Sequence, residues 1–138
     1  MTPQQQSLDL IRSYYAAFNS GDRDAFLSLL TDDVRHDINQ GGGEVGKGAF
    51  RTFLQRMDRC YREQVENLVV FASEDGTRGA AEFFIRGEYV SSDEGLPSAA
   101  GQKYHLRVGA FFDVKDGRVA RVTNYYNLQD WIAQVSGS

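Results

Sequence analysis

The sequence predicts an α+β fold, in which a curved antiparallel sheet forms a half-open cone around three N-terminal helices. Helical periodicity dominates the chain as far as Arg62, and alternating apolar and polar residues dominate it from Val65 onward. Segregation of helices from strands is typical of α+β rather than α/β proteins. An antiparallel sheet with helices on one face only must curve around them. Such a cone leaves a cavity in which a small molecule can bind.

The helices are predicted from the spacing of apolar residues and from their capping signals. Apolar residues repeat at helical spacing over residues 4–19, and Gly21 suits the left-handed position that closes a helix. Asp22 follows as the cap of a second, short helix. A third helix is expected over 47–62. Because the first two helices have a very short connection, they must pack as a tight pair.

A short strand is predicted between the second and third helices, because Val34, His36 and Ile38 alternate with Arg35, Asp37 and Asn39. A loop is expected at the glycine run that follows, Gly41–Gly43.

An antiparallel meander of four strands is predicted for the C-terminal half. Tight-turn signals at Asp75-Gly76 and Asp116-Gly117 support it. The region after the meander is expected to be a short terminal helix or tail, and the long connection 91–102 to be a lid, a dimer contact or a solvated loop. The strands are expected over 65–73, 78–90, 103–114 and 119–126.

Composition narrows the class of protein. The 138 residues fit one domain spanning 1–138, and a net charge of -4 argues against nucleic-acid binding, which usually needs a basic face. The single Cys60 fits a reducing compartment. With neither a signal peptide nor an apolar run of membrane-spanning length, we expect a cytoplasmic protein with no membrane partner. His36 and His105 are the only histidines and fall on distant strands, so no metal site is expected.

His36 is the first candidate for chemistry. It shares a strand face with Val34 and Ile38 and should therefore line the cavity, where an imidazole is easily poised for proton transfer near neutral pH. The alternative is a buried structural histidine. Asp37 should point to the opposite face, and it could orient His36 only if the backbone kinks; otherwise it is a solvated or capping carboxylate.

Tyr14 is the second candidate, because a phenol projecting from the first helix toward the sheet can donate a hydrogen bond to a substrate oxygen. The alternative is an ordinary aromatic core residue, and helix rotation decides whether Tyr14 or Tyr15 points inward. On the strand 78–90, Phe83, Ile85 and Tyr89 should line the cavity.

The outer face of the sheet is predicted to carry the charges of Glu82 and Arg86 beside the aromatic rings of Phe84, Phe111 and Tyr125. An aromatic sheet face among charges suggests a homodimer.

The chain resembles the nuclear-transport-factor-2-like superfamily, and within it the SnoaL-like and ketosteroid isomerase-related proteins. The segments that carry the resemblance are YYAAFNSGDRDAFLSLLTDDV, with the histidine–aspartate pair and glycine loop after it, and FFDVKDGRVARVTNYYN. It covers nearly the whole chain and implies the cystatin-like roll of that superfamily. The fold hosts isomerases, dehydratases, cyclases, epoxide hydrolases and non-catalytic binding domains, so it does not by itself define an activity.

The resemblance also implies roles for single residues. Tyr14 matches the oxyanion-binding tyrosine of ketosteroid isomerases, whereas Ile38 occupies the position of their base, one residue after Asp37. Their second oxyanion ligand, a protonated aspartate, falls near Ala110, where the sequence has no carboxylate. The resemblance further places Val122, Asn124 and Tyr126 on the inner face of the last strand.

Together these features predict a cofactor-independent isomerase or lyase that acts on a small, mostly apolar carbonyl or hydroxyl compound. His36, with or without Asp37, would move a proton, while Tyr14, Asn124 and Tyr126 would hold the substrate oxygen. A non-catalytic small-molecule-binding or dimerisation module is the alternative. The apolar wall is expected to comprise Ile38, Phe83, Ile85 and Val122.

Overall fold

A computed structural model describes residues 1–38 and 41–136. Within these ranges the chain forms four helices and six strands. The helices are α1 (Pro3–Ser20), α2 (Arg23–Ser28), α3 (Lys47–Cys60) and α4 (Leu128–Val135). The strands are β1 (Leu30–Ile38), β2 (Gly43–Val45), β3 (Tyr61–Ala72), β4 (Arg78–Tyr89), β5 (Gln102–Lys115) and β6 (Arg118–Tyr126).

The strands form one curved, unclosed sheet in the order β2-β1-β6-β5-β4-β3. The predicted meander is confirmed, because β3 to β6 pair in sequence and antiparallel. The strand β1 joins β6 in parallel, and β2 adds to the outer side of β1. This topology brings His36 beside the last strand, with His36 opposite Val122 and Ile38 opposite Asn124.

The predicted helix signals are confirmed. Gly21 has a φ of 79° and donates its N–H to the Phe18 carbonyl, which closes α1. The Asp22 carboxylate accepts a hydrogen bond from the Ala25 N–H at 3.0 Å and caps α2. Thr2 and Gln5 form a capping box that starts α1.

Two element boundaries differ from the sequence-based expectation. The third helix ends at Cys60, and Tyr61 already belongs to β3, whose pairing with Tyr89 begins there. The glycine run is not entirely loop, because Gly43 opens β2 and pairs with Asp37. In both places sheet pairing, a long-range interaction, overrides the local pattern.

Alternation along the strands decides which side chains face the helices. On β4, Phe83 and Ile85 are buried while Glu82 and Arg86 are exposed, as predicted. The resulting core is aromatic around α1, where the Tyr14 ring lies 4.5 Å from Phe26 between ring centres. Among the described residues, no helix is both long and apolar enough to span a bilayer.

Candidate functional site

A cavity of about 460 Å³ lies between the concave face of the sheet and helices α1, α3 and α4. Its volume falls in the range typical of small-molecule sites. Seven side chains selected by the sequence line it: Tyr14, His36, Ile38, Phe83, Ile85, Asn124 and Tyr126.

His36 is almost fully buried in the wall, with 2% of its surface exposed. Its ring stacks on Phe50 at 4.2 Å between ring centres, and the edge of Phe53 meets it at 4.6 Å. The imidazole Nδ1 lies 3.1 Å from a carboxylate oxygen of Glu44. Three contacts from two elements therefore hold the ring in one orientation.

The contact with Glu44 determines the tautomer of His36. A carboxylate only accepts hydrogen bonds, so Nδ1 is the donor and the lone pair of a neutral imidazole is at Nε2. Burial lowers the pKa of His36, against the opposing effects of the Glu44 hydrogen bond and of the Glu44 and Asp37 charges. His36 is accordingly neutral near pH 7, and its uncharged ring donates the hydrogen bond to Glu44. This is the arrangement that a general base requires.

Glu44 is not identified as a site residue from the sequence, although it lies in the glycine-rich segment that follows His36. It reaches His36 because β2 folds back on β1 and places Glu44 directly opposite His36. Side chains opposite one another on paired strands share a face. The signal that could have found it is the glycine run itself, which allows the chain to fold back and pair with β1.

Both tyrosines of α1 reach the cavity, so rotation of the helix does not choose between them. Tyr14 and Tyr15 are each 5% exposed, and their rings meet edge to face at 4.9 Å. Burial raises the pKa of both phenols, so each remains a hydrogen-bond donor well above neutral pH. The Tyr15 hydroxyl is buried without a hydrogen-bond partner in the described part of the chain.

Asn124 and Tyr126 line the cavity from the last strand, as the resemblance implies. Among residues 1–38 and 41–136, the Asn124 amide makes no hydrogen bond, so its polar atoms are available to a ligand. Burial raises the pKa of Tyr126, and the negative charge of Glu63 raises it further.

Asp37 does not reach the cavity, which corrects its assignment to the catalytic group. Its carboxylate lies on the outer face, where it pairs with Arg35 Nε at 2.8 Å and accepts a hydrogen bond from Thr123 at 2.8 Å. The pairing of β1 with β6 is irregular before Arg35 and regular from Arg35 to Ile38. No kink therefore turns Asp37 inward. The remaining residue of this alternation, Asn39, lies outside the described residues.

Three other side chains assigned to the inner face are buried in the core and do not line the cavity: Val34, Tyr89 and Val122. Val34 and Val122 are fully buried, and the Tyr89 hydroxyl donates to the Pro97 carbonyl at 2.6 Å. Ala110 lies directly opposite Asn124 and is 1% exposed. Ala110 is therefore a small, buried side chain beside the polar Asn124.

The long connection between β4 and β5 forms part of the cavity wall through Asp93, Glu94 and Leu96. Asp93 accepts a hydrogen bond from the Tyr61 hydroxyl at 2.8 Å and lies 3.6 Å from Arg56 Nε. These contacts tie the connection to α3 and β3. They were not foreseen because they join residues that are 32 or more positions apart.

Glu63 is a further cavity residue that periodicity did not reveal. It lies on β3 and accepts a hydrogen bond from the Tyr104 hydroxyl at 2.6 Å. Within residues 1–38 and 41–136, no three His, Cys, Asp or Glu side chains gather as a metal site requires.

Comparison with known proteins places this geometry in a family. The family model described as the SnoaL-like domain matches residues 11–122. A comparison with functionally curated proteins gives no significant match.

Solved structures extend the match to nearly the whole chain. A candidate polyketide cyclase from Pseudomonas putida KT2440 is 54% identical, with 98% of each chain covered and a TM-score of 0.93. Another from Xanthomonas campestris pv. campestris is 56% identical, with 97% of this chain and 99% of that chain covered and a TM-score of 0.94. An NTF2-like protein from Burkholderia xenovorans LB400, 16% identical, shares the fold with a TM-score of 0.75 over 96% of this chain and 97% of that chain.

The cone-shaped sheet, the cavity between sheet and helices, and the match over 11–122 agree with one another. The chain belongs to the SnoaL-like domain family, which has the nuclear-transport-factor-2-like fold.

Proposed function

We propose that the protein is a cofactor-independent enzyme of the isomerase or cyclase type that removes a proton beside a carbonyl group of a small, mostly apolar compound. The observation that carries this proposal is the neutral His36, buried in the cavity wall and held by Glu44 with its lone pair at Nε2. The names of the two relatives above, as candidate polyketide cyclases, agree with it.

The reaction starts when His36 Nε2 takes a proton from the carbon next to the carbonyl. The electron pair of that C–H bond moves to the carbonyl oxygen, which becomes an enolate. Tyr14 and Asn124 donate hydrogen bonds to this oxygen as its charge develops. The protonated His36, stabilised by Glu44, then returns the proton.

The site of proton return distinguishes the possible products. Return to a different carbon of the conjugated system gives an isomer. Attack of the enolate carbon on a second carbonyl within the same molecule forms a carbon–carbon bond and gives a ring, and the proton then goes to the new alkoxide. The apolar wall, including Phe83 and Ile85, shields the enolate from water.

The test is deuterium exchange into 2-tetralone in D2O, followed by proton NMR. We expect the protein to accelerate loss of the signal from the carbon-bound protons beside the carbonyl. His36→Gln should slow this exchange by at least about a hundredfold, the usual contribution of a positioned base. The matched control is His105→Gln, because His105 lies half exposed on the outer face, stacked on Phe84.

An exchange rate equal to that of buffer, or a His36→Gln variant as active as the wild type, would reject the enzymatic proposal. The second candidate function, a non-catalytic binding module, would then stand. It is favoured by Ile38 and Ala110, which place apolar side chains where ketosteroid isomerases carry carboxylates.

A further inference from the structure

Glu63 lies in the same cavity as His36, on the strand at the far edge of the sheet. The strands that carry them, β3 and β1, are separated by β4, β5 and β6. The Glu63 Oε2 atom accepts the hydrogen bond from Tyr104, a side chain that is itself only 4% exposed. Among the described residues, no hydrogen bond reaches Oε1, which leaves this oxygen available to a ligand.

The pairing of three neighbouring strands determines where the Glu63 side chain lies. Glu63, Gly87 and Tyr104 are directly opposite one another on β3, β4 and β5. A Cβ at Gly87 would collide with the Tyr104 ring, its hydroxyl included. The absence of a side chain at Gly87 therefore lets the Tyr104 ring lie across β4 and reach Glu63.

An aromatic side chain of the cavity wall packs beside the Tyr104–Glu63 pair. Trp131 lies 6.0 Å from Tyr104 between ring centres, edge to face, and also lines the cavity. Burial raises the pKa of Glu63, against the Tyr104 hydrogen bond and the charge of Arg23. Glu63 is half-buried, and a ligand that donates a hydrogen bond to its unused oxygen would be bound more tightly for doing so.

We propose that Glu63 is a second polar anchor of the cavity, which binds a hydroxyl group at the end of the ligand remote from His36. The ligand is then an elongated, mostly apolar compound with a carbonyl at one end and a hydroxyl at the other. The inference rests on the proposed function only in assuming that this cavity takes a carbonyl compound. Glu63 acts as a binding residue, and Tyr104 and Gly87 position it.

The test compares two naphthalene ketones by isothermal titration calorimetry. The probes are 6-hydroxy-2-acetonaphthone and 2-acetonaphthone, which differ only in the hydroxyl opposite the ketone. We expect the wild-type protein to bind the hydroxylated probe about tenfold more tightly, the effect of one well-formed hydrogen bond to a carboxyl oxygen. Glu63→Leu should abolish this preference.

Two further variants separate the effect of the Glu63 carboxyl group from a general effect of substitution. Glu63→Gln preserves the shape of the side chain and an uncharged acceptor, so it should fold and reduce the preference to about threefold. Glu82→Leu is the matched control, because Glu82 lies exposed on the outer face of the adjoining strand β4. It should retain the tenfold preference.

Equal affinity of the wild-type protein for the two probes would overturn the inference. So would failure of the hydroxylated probe to bind, or a Glu63→Leu variant that keeps the preference. These are equilibrium affinities, and they do not depend on proton transfer by His36. A failed deuterium-exchange test with an intact hydroxyl preference would therefore reject the reaction and retain the anchor.

Discussion

Burial acts in opposite directions on His36 and Glu63, which both line the cavity. It lowers the pKa of His36 and raises the pKa of Glu63, because removal from water disfavours the charged form of each group. The same effect raises the pKa of Tyr14 and keeps its hydroxyl protonated. Surroundings that disfavour charge at His36 and Tyr14 suit an uncharged ligand, whose charge develops only during the reaction.

The lowered pKa of His36 predicts how stability depends on pH. Between the depressed pKa of the folded state and the unfolded value of 6.5, the unfolded chain binds a proton that the folded protein does not. The free energy of unfolding should therefore rise with pH through this interval, and the contribution should be lost as pH falls through the folded-state pKa. Urea unfolding at pH values from about 5 to 7.5 measures it.

His36→Gln removes the titrating group and should flatten the curve over that interval relative to the wild type. The comparison is of slopes, so a uniform loss of stability in the variant does not affect it. Parallel curves for the two proteins would show that His36 has the same pKa folded and unfolded. The neutral base of the proposed reaction would then lose its physical support.

At the scale of elements, the β1–β2 hairpin is the unit that organises the base. The three residues of β2 suffice to place Glu44 opposite His36 and to bring Gly43 beside Asp37. Helix α3 follows at once and covers the same imidazole with Phe50 and Phe53. A strand too short to be recognised by alternation thus determines the chemistry of the longer strand beside it.

Helix α1 docks on β4 through a close approach at Gly79. A Cβ there would collide with the Ile11 side chain and lie 3.2 Å from the Phe71 carbonyl oxygen. Ile11 is fully buried and cannot move aside without disturbing the core. We expect Gly79→Ala to lower the free energy of unfolding by about 1–3 kcal/mol, the usual cost of overpacking.

The matched control is Gly109→Ala on the neighbouring strand β5, where an added Cβ meets no atom within 4 Å. This variant should stay within about 0.5 kcal/mol of the wild type, as for other uncrowded sites. Urea denaturation of both variants gives the comparison. Equal stability of the two would mean that α1 does not rest on β4 at Gly79.

For the whole molecule, the outer face of the sheet carries a patch of exposed aromatic rings. Phe71, Phe111 and Tyr125 are each 48–58% exposed, and Phe111 meets Tyr125 edge to face at 5.7 Å. Charged side chains, including Glu82 and Arg86, lie around them. We propose that this face pairs with a second copy of the chain, because aromatic rings among charges on one sheet face are typical of a self-complementary interface.

Sedimentation equilibrium should then find a homodimer that Phe111→Lys weakens by at least about tenfold, since a buried unpaired charge is costly. Val45→Lys is the control. Val45 is equally apolar and 61% exposed, but it lies on β2, at the edge of the sheet. A monomeric wild type, or a dimer that tolerates Phe111→Lys, would reject the proposed interface.

Much of the fold follows from local pattern. Period-two alternation on β4 separates the cavity residues Phe83 and Ile85 from the outward Glu82, and it orients His36 inward and Asp37 outward on β1. Capping signals at Gly21 and Asp22 locate the first helix boundary. These features depend on neighbours a few residues away, which is the range over which periodicity and caps operate.

Only the tertiary structure decided which partners the cavity side chains have. The carboxylate beside His36 comes from Glu44 across a glycine hairpin, and the hydroxyl beside Glu63 comes from Tyr104, 41 residues away and past Gly87. Periodicity states which way a side chain points, but not what it meets there. The sequence by itself therefore determined the cone and one wall of its cavity, and strand pairing decided the chemistry inside.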